Sequence, residues 1–65
     1  MTAKEAIQAA EQRVPVVCNE ITYSRIRAII WRYNDNVKLI CAEMEDMNGA
    51  KSVTEAPIEK IWLLQ

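Results

Sequence analysis

The sequence predicts a small α+β domain in which an N-terminal helix precedes an antiparallel β-sheet. Thr2-Ala3-Lys4-Glu5 fits a capping box at the start of a run of helix-forming residues, and Pro15 disfavours helix just before it. From Val16 onward β-branched and aromatic residues predominate, and Asn, Asp and Gly separate the runs. Sixty-five residues make one domain, 1–65, with a helix over 2–13 and sheet over 16–64.

The predicted helix carries a narrow apolar stripe. Ala3, Ala6, Ile7 and Ala10 recur at helical spacing, and Ile7 is the only large residue among them. Such a helix packs closely against a sheet but buries little apolar area of its own.

The strand pattern predicts a small SH3-like barrel. The expected segments are strands over Val16–Cys18, Ile21–Tyr33, Val37–Asp46 and Lys51–Glu55, a short turn over Pro57–Ile61, and a closing strand through Leu64. The alternative is an open antiparallel meander sheet of three to five strands with the helix across one face. The two folds differ in whether the first and last strands pair to close the sheet.

Two turns set the expected register of the sheet. A three-residue loop over 34–36 puts Tyr33 opposite Val37. One face then pairs Ile30 with Ile40, Ala28 with Ala42, and Ile26 with Met44. The other face pairs Trp31 with Leu39, Ile29 with Cys41, Arg27 with Glu43, and Arg25 with Glu45. A type I′ turn at Asn48-Gly49 places Asp46 opposite Lys51 and Met44 opposite Val53.

Five apolar residues in the second half of the chain are expected in the core. Ile58 and Ile61 point the same way from one turn, and Trp62 is expected to close the core beside them. Met44 and Met47 are also expected inside.

The residue inventory argues against catalysis and metal binding. The chain has no histidine, and its only glycine lies in a turn, which excludes the usual nucleophile–base pairs and phosphate loops. Cys18 and Cys41 lie too far apart for a zinc motif and are expected to be buried, reduced thiols. We therefore expect no enzyme activity, no catalytic residue, no metal and no cofactor.

Charge and hydropathy limit the partners. The formal net charge is -1, which argues against duplex nucleic acid, and no stretch has the apolar length of a membrane span. The N-terminal residues lack the apolar core of a signal peptide. The expected location is the cytoplasm.

Part of the chain resembles small proteins encoded by bacteriophages and prophages. The matching pieces are Ile21-Thr22-Tyr23, Ile26-Arg27-Ala28-Ile29-Ile30-Trp31-Arg32, Glu43-Met44-Glu45-Asp46 and Ser52-Val53-Thr54-Glu55-Ala56-Pro57. The resemblance implies a phage or prophage setting, where such proteins bind or inhibit host proteins. It assigns no functional residue.

One face of the central hairpin is the first candidate site. In the expected register it presents an apolar set that needs a cover: Ile29, Trp31, Tyr33, Val37 and Leu39, with Cys41 beside them. Either the helix supplies the cover, or a second subunit or a protein partner does. The predicted function is a non-enzymatic protein–protein interaction module, with a homodimer favoured among oligomers.

An alternative site lies along the same strand. Tyr23, Arg25, Arg27 and Tyr33 recur at alternate positions with Trp31, and aromatic and arginine side chains suit base stacking and phosphate contact. The alternative function is a homo-oligomer that sequesters a small or cyclic nucleotide signal to counter host defence.

Overall fold

The computed structural model describes residues 1–64, with the side chains of residues 50 and 51 left aside. The described chain is one helix followed by five strands, so the α+β prediction is confirmed. The elements are α1 (Ala3–Gln12), β1 (Val16–Cys18), β2 (Ile21–Asn34), β3 (Val37–Asp46), β4 (Gly49–Pro57), a 3-10 turn (Ile58–Lys60) and β5 (Ile61–Leu63).

The N-terminal capping box forms as the sequence predicts. The Glu5 backbone N–H donates to Thr2 Oγ1 over 3.1 Å, and Glu5 Oε1 accepts from the Thr2 N–H over 2.8 Å. The helix ends at Arg13, whose φ of 56° is left-handed and whose N–H bonds back to the last turn. Ala6 and Ala9 are its buried residues, whereas Ile7, which the predicted stripe groups with Ala6, is 41% exposed.

The five strands form one antiparallel sheet in the order β4-β3-β2-β1-β5. The first and last strands pair, with Val17 opposite Trp62. Among the described residues β4 and β5 do not pair with each other, so the sheet is open.

The β2–β3 register differs from the expected one over the half nearest the turn. The turn has two residues, Asp35 and Asn36, with φ of 43° and 69°, so Asn34 rather than Tyr33 lies opposite Val37. A bulge at Arg27 absorbs the extra residue, and the predicted pairs of Ile26 with Met44 and Arg25 with Glu45 are confirmed. Between bulge and turn the pairs are Ala28–Glu43, Ile29–Ala42, Ile30–Cys41, Trp31–Ile40, Arg32–Leu39 and Tyr33–Lys38.

The β3–β4 turn also differs from the expected type I′ turn at Asn48-Gly49. Asp46 pairs with Gly49, and Gly49 does not have a positive φ, so the turn lies one residue earlier. The Asp46 carboxylate accepts from the Asn48 N–H over 3.0 Å, which stabilises a turn in that place. The expected pairs of Asp46 with Lys51 and Met44 with Val53 are wrong, since Met44 lies opposite Thr54.

The core lies between α1 and one face of the sheet. It contains the following buried residues: Ala6, Ala9, Val16, Cys18, Tyr23, Ile26, Ala42, Met44, Ala56, Ile58 and Ile61. The core positions predicted for Met44, Ile58 and Ile61 are confirmed. Trp62 is 60% exposed because strand alternation turns it away from the face on which Ile61 is buried, and Met47 is also exposed.

Candidate interface: the hairpin arm

The candidate site is the end of the β2–β3 hairpin, residues 31–39, which we call the arm. Every residue of the arm is exposed. On one side β1 pairs only with Ile21–Tyr23, and on the other β4 ends with Pro57 opposite Cys41. Within the described chain, the arm therefore has no strand beside either of its edges.

The dimensions and the surface area of the molecule fit an arm that projects beyond the core. Its longest dimension is 36 Å against 22 and 21 Å in the other directions. Its accessible surface is 4708 Å², whereas a compact monomer of 7.5 kDa has about 4,250 Å². The excess is about 450 Å².

The local sequence explains why the arm holds its shape. Asp and Asn are the non-glycine residues that best tolerate the left-handed conformation, and they occupy both turn positions. Their backbone twist matches that of the two strands. β-branched and aromatic residues flank the turn, so the strands extend past the sheet that supports their base.

The arm carries large apolar side chains on both faces. Trp31 and Tyr33 lie on the face of the sheet toward the helix and are 42% and 75% exposed. Val37 and Leu39 lie on the opposite face, and they are 61% and 36% exposed. Exposed clusters of this kind mark interaction surfaces in small proteins.

The five residues predicted as one interface do not share a face. The bulge at Arg27 shifts β2 by one residue relative to β3, and a shift of one residue exchanges the faces of a strand. Ile29 therefore lies with Trp31 and Tyr33 on the helix side, away from Val37 and Leu39. Ile29 is partly buried against the core, whereas the residues of the arm are exposed.

A cation–π contact fixes part of the helix-side face. Lys38 Nζ lies 4.5 Å from the centroid of the Trp31 ring. Sequence reasoning missed this pair because the expected register put Leu39 opposite Trp31. In the observed register Lys38 is opposite Tyr33 and diagonal to Trp31, within reach of a long side chain.

Three arginine–glutamate pairs lie on the other face of the sheet. Arg25 Nε is 3.0 Å from Glu45 Oε2, as the sequence predicts, and Arg27 Nε is 3.8 Å from Glu43 Oε1 although the bulge removes Arg27 from the ladder. The third pair was not predicted: Arg32 donates to both Glu55 oxygens, over 2.9 and 3.1 Å. The sequence signal for it, opposite charges on β2 and β4, depends on the bulge for its alignment.

The Arg32–Glu55 pair spans β3 above Cys41. Hydrogen bonds from Arg32 hold the pKa of the Glu55 carboxyl below its ordinary value, and the same bonds raise the pKa of the Arg32 guanidinium. The Cys41 thiol adds to both shifts and is itself buried. Cys18 is buried too, and both thiols are free, as predicted.

The residues of the alternative nucleotide site are not brought together. Tyr23 is only 7% exposed and belongs to the core. Arg25 and Arg27 lie on the face away from the helix and form ion pairs with glutamates, whereas Tyr33 lies at the far end of the arm on the helix side. These four side chains do not form a common surface.

The described residues show neither a metal-binding cluster nor a membrane-spanning helix. Residues 1–64, apart from the two side chains left aside, hold no group of three or more metal-ligating side chains that would bind an ion. No described helix is long and apolar enough to cross a membrane.

Comparison with known proteins gives no further guide to function. No protein-family model, no curated protein and no solved structure matches the chain.

Proposed function

We propose that this protein is a non-enzymatic protein–protein interaction module that forms a homodimer through its arm. One observation carries the proposal: Trp31, Tyr33, Val37 and Leu39 all lie exposed within nine residues that project beyond the core. Tryptophan and tyrosine are the residues most enriched among those that dominate binding energy.

The energetics of the arm support a bound state. A two-stranded hairpin is at best marginally stable in water when nothing packs against it. Covering the exposed apolar side chains of the arm, at about 25 cal/mol per Å² of apolar surface, favours association. A chain of this length has a small core, so a second subunit also adds stability by mass action.

The two tryptophans of the chain give a matched test of the proposal. Trp31 lies on the arm, and Trp62 lies at the other end of the sheet with 60% of its surface exposed. We expect Trp31→Ser to lower the mass measured by light scattering from dimer toward monomer, and Trp62→Ser to leave it unchanged. A wild-type chain that is folded and monomeric at all concentrations contradicts the proposal, as does an equal effect of the two substitutions.

A partner protein is the second part of the proposal. If a dimer covers one region of the arm, the Val37 and Leu39 face remains available for a different protein. In the phage or prophage setting that the resemblance implies, that partner is a host protein in the cytoplasm. The two free, buried thiols suit a reducing compartment.

We further infer that the sheet curves into an SH3-like barrel. The proposal is supported by the strand order, by the pairing of β1 with β5 and by the 3-10 turn before the last strand. It is also supported by hydrogen bonds from the Met1 nitrogen to the Ile58 and Ile61 carbonyls, which join the turn and β5 to the start of the helix. An experimental structure with β4 and β5 far apart contradicts it.

A further inference from the structure

We infer that two copies associate through the free edge of β2, with the two strands antiparallel across a two-fold axis near Ile30. The five-stranded sheets of the two copies then form one continuous sheet. This inference rests on the proposed homodimer and specifies its geometry: the backbone edge of the arm, and not only its faces, makes the contact.

The edge is available over a long stretch. In the described chain, β1 lies beside β2 only at Ile21–Tyr23, which leaves residues 24–34 of β2 without a strand on that side. The described backbone hydrogen bonds outside the helix and sheet ladders do not involve residues 28–34. Unpaired strand edges are templates for pairing with another chain.

The free edge of β2 lacks the features that normally prevent strand pairing. The two outer strands of the sheet have such features: β4 is interrupted by a register shift near its start and ends in Pro57, and β5 is only three residues long. In contrast, residues 28–33 of β2 read Ala-Ile-Ile-Trp-Arg-Tyr, with no proline, no glycine and a single charge. An exposed strand edge of this composition promotes aggregation, and pairing with another strand prevents it.

The hairpin geometry shows which backbone groups face outward. In a two-residue hairpin the pair that flanks the turn exchanges hydrogen bonds, which makes Asn34, Arg32, Ile30 and Ala28 bond to β3. The N–H and C=O groups of the intervening residues, Ile29, Trp31 and Tyr33, point to the free edge. Ile29 and Trp31 of each copy are enough for a short antiparallel ladder.

When the β2 edges of two copies pair with the axis at Ile30, apolar side chains meet on both faces of the joined sheet. With the axis at Ile30, the two Ile30 side chains meet on one face, and Ile29 lies opposite Trp31 of the second copy on the other. Arg32 lies opposite Ala28 of the second copy, so like charges do not face each other. The bulge at Arg27 ends the ladder, which limits the association to two arms.

The area involved is that of a weak, reversible dimer. If each copy covers the excess of about 450 Å², the interface totals about 900 Å², below the roughly 1,000 Å² that stable specific interfaces exceed. We therefore expect monomer and dimer to be in measurable exchange.

Disulfide trapping tests the two-fold axis directly. In a Cys41→Ala background, which removes the thiol opposite residue 30, Ile30→Cys places two thiols across the axis. We expect a covalent dimer on mild oxidation. Arg32→Cys in the same background is the control: its thiol lies on the same face but away from the axis, and we expect no cross-link. Equal cross-linking of both variants overturns the inference.

A second pair of variants distinguishes association through the backbone edge of β2 from association through the side-chain faces of the arm. Trp31→Pro and Trp31→Ser remove the same side chain, but only proline also removes an N–H that points to the edge and faces Ile29 of the second copy. We expect the proline variant to dissociate at least tenfold more readily than the serine variant in sedimentation equilibrium, with both folded by circular dichroism. If the wild type is a dimer and the two variants are equally weakened, the edge pairing is wrong while the proposed function stands. If the wild type never dimerises, both fail.

Discussion

At the residue scale, Glu55 is the group whose chemistry the structure changes most clearly. Its carboxylate accepts two hydrogen bonds from Arg32, and these keep its pKa below the ordinary value of 4.5. A carboxyl with a lowered pKa in the folded state stabilises the fold above its unfolded pKa. That contribution is lost as the pH falls through the lowered value.

Glu55→Gln is expected to reduce the free energy of unfolding at neutral pH, with the difference from wild type disappearing as the pH falls through the lowered pKa of Glu55. Urea melts at a series of neutral and acidic pH values measure this difference. An NMR titration of the Glu55 carboxyl provides the control, because Arg32→Gln is expected to raise its pKa toward the ordinary value. A difference between wild type and Glu55→Gln that does not change with pH contradicts the assignment.

Alanine at position 6 sets how closely the helix approaches the sheet. Ala6 is completely buried, whereas Gln8 on the same helix is exposed. We expect Ala6→Leu to destabilise the protein by about 1–3 kcal/mol, because added methylenes in a packed interior force the helix away. Gln8→Leu, the control, is expected to change stability by less than about 0.5 kcal/mol. Thermal or urea denaturation gives both values, and an equal effect at the two sites contradicts the packing.

At the element scale, the two hairpin turns differ in whether they require a left-handed backbone conformation. Asn36 has a φ of 69°, whereas Gly49 does not have a positive φ and a Cβ at that position meets nothing within 4 Å. Asn36→Ala is therefore expected to cost about 1 kcal/mol of stability. Gly49→Ala is expected to be neutral or to stabilise by up to about 1 kcal/mol, since it reduces the freedom of the unfolded chain. A loss of stability in Gly49→Ala indicates a left-handed glycine, and contradicts the turn described here.

The sequence predicts elements well and pairings less well, for identifiable reasons. The helix was predictable because Thr2 and Glu5 form a reciprocal cap. The limits of the strands were predictable because turn residues separate the apolar runs. The bulge at Arg27 was not predictable, since it depends on the difference between a two-residue and a three-residue loop at the far end of the hairpin. One extra residue there decided which side chains share a face.

At the scale of the whole molecule, the same bulge determines what the arm offers to a partner. Of the apolar residues that the sequence places near the turn, Trp31, Tyr33, Val37 and Leu39 are exposed, and Ile29 is partly buried. The structure divides them, however, between two faces, with Trp31 on one and Leu39 on the other. An arm that is apolar on both faces and unpaired along its edge is better covered by a second arm than by the helix of its own chain.

Amide hydrogen exchange as a function of protein concentration reports on pairing of the β2 edges residue by residue. The N–H groups of Ile29 and Trp31 face the free edge and lie within the proposed ladder, while those of Ile30 and Arg32 bond to β3 within one copy. We expect the first two amides to exchange slowly at about 1 mM and rapidly at about 10 µM, with the other two protected at both concentrations. Rapid exchange of the two edge amides at every concentration contradicts association through the arm.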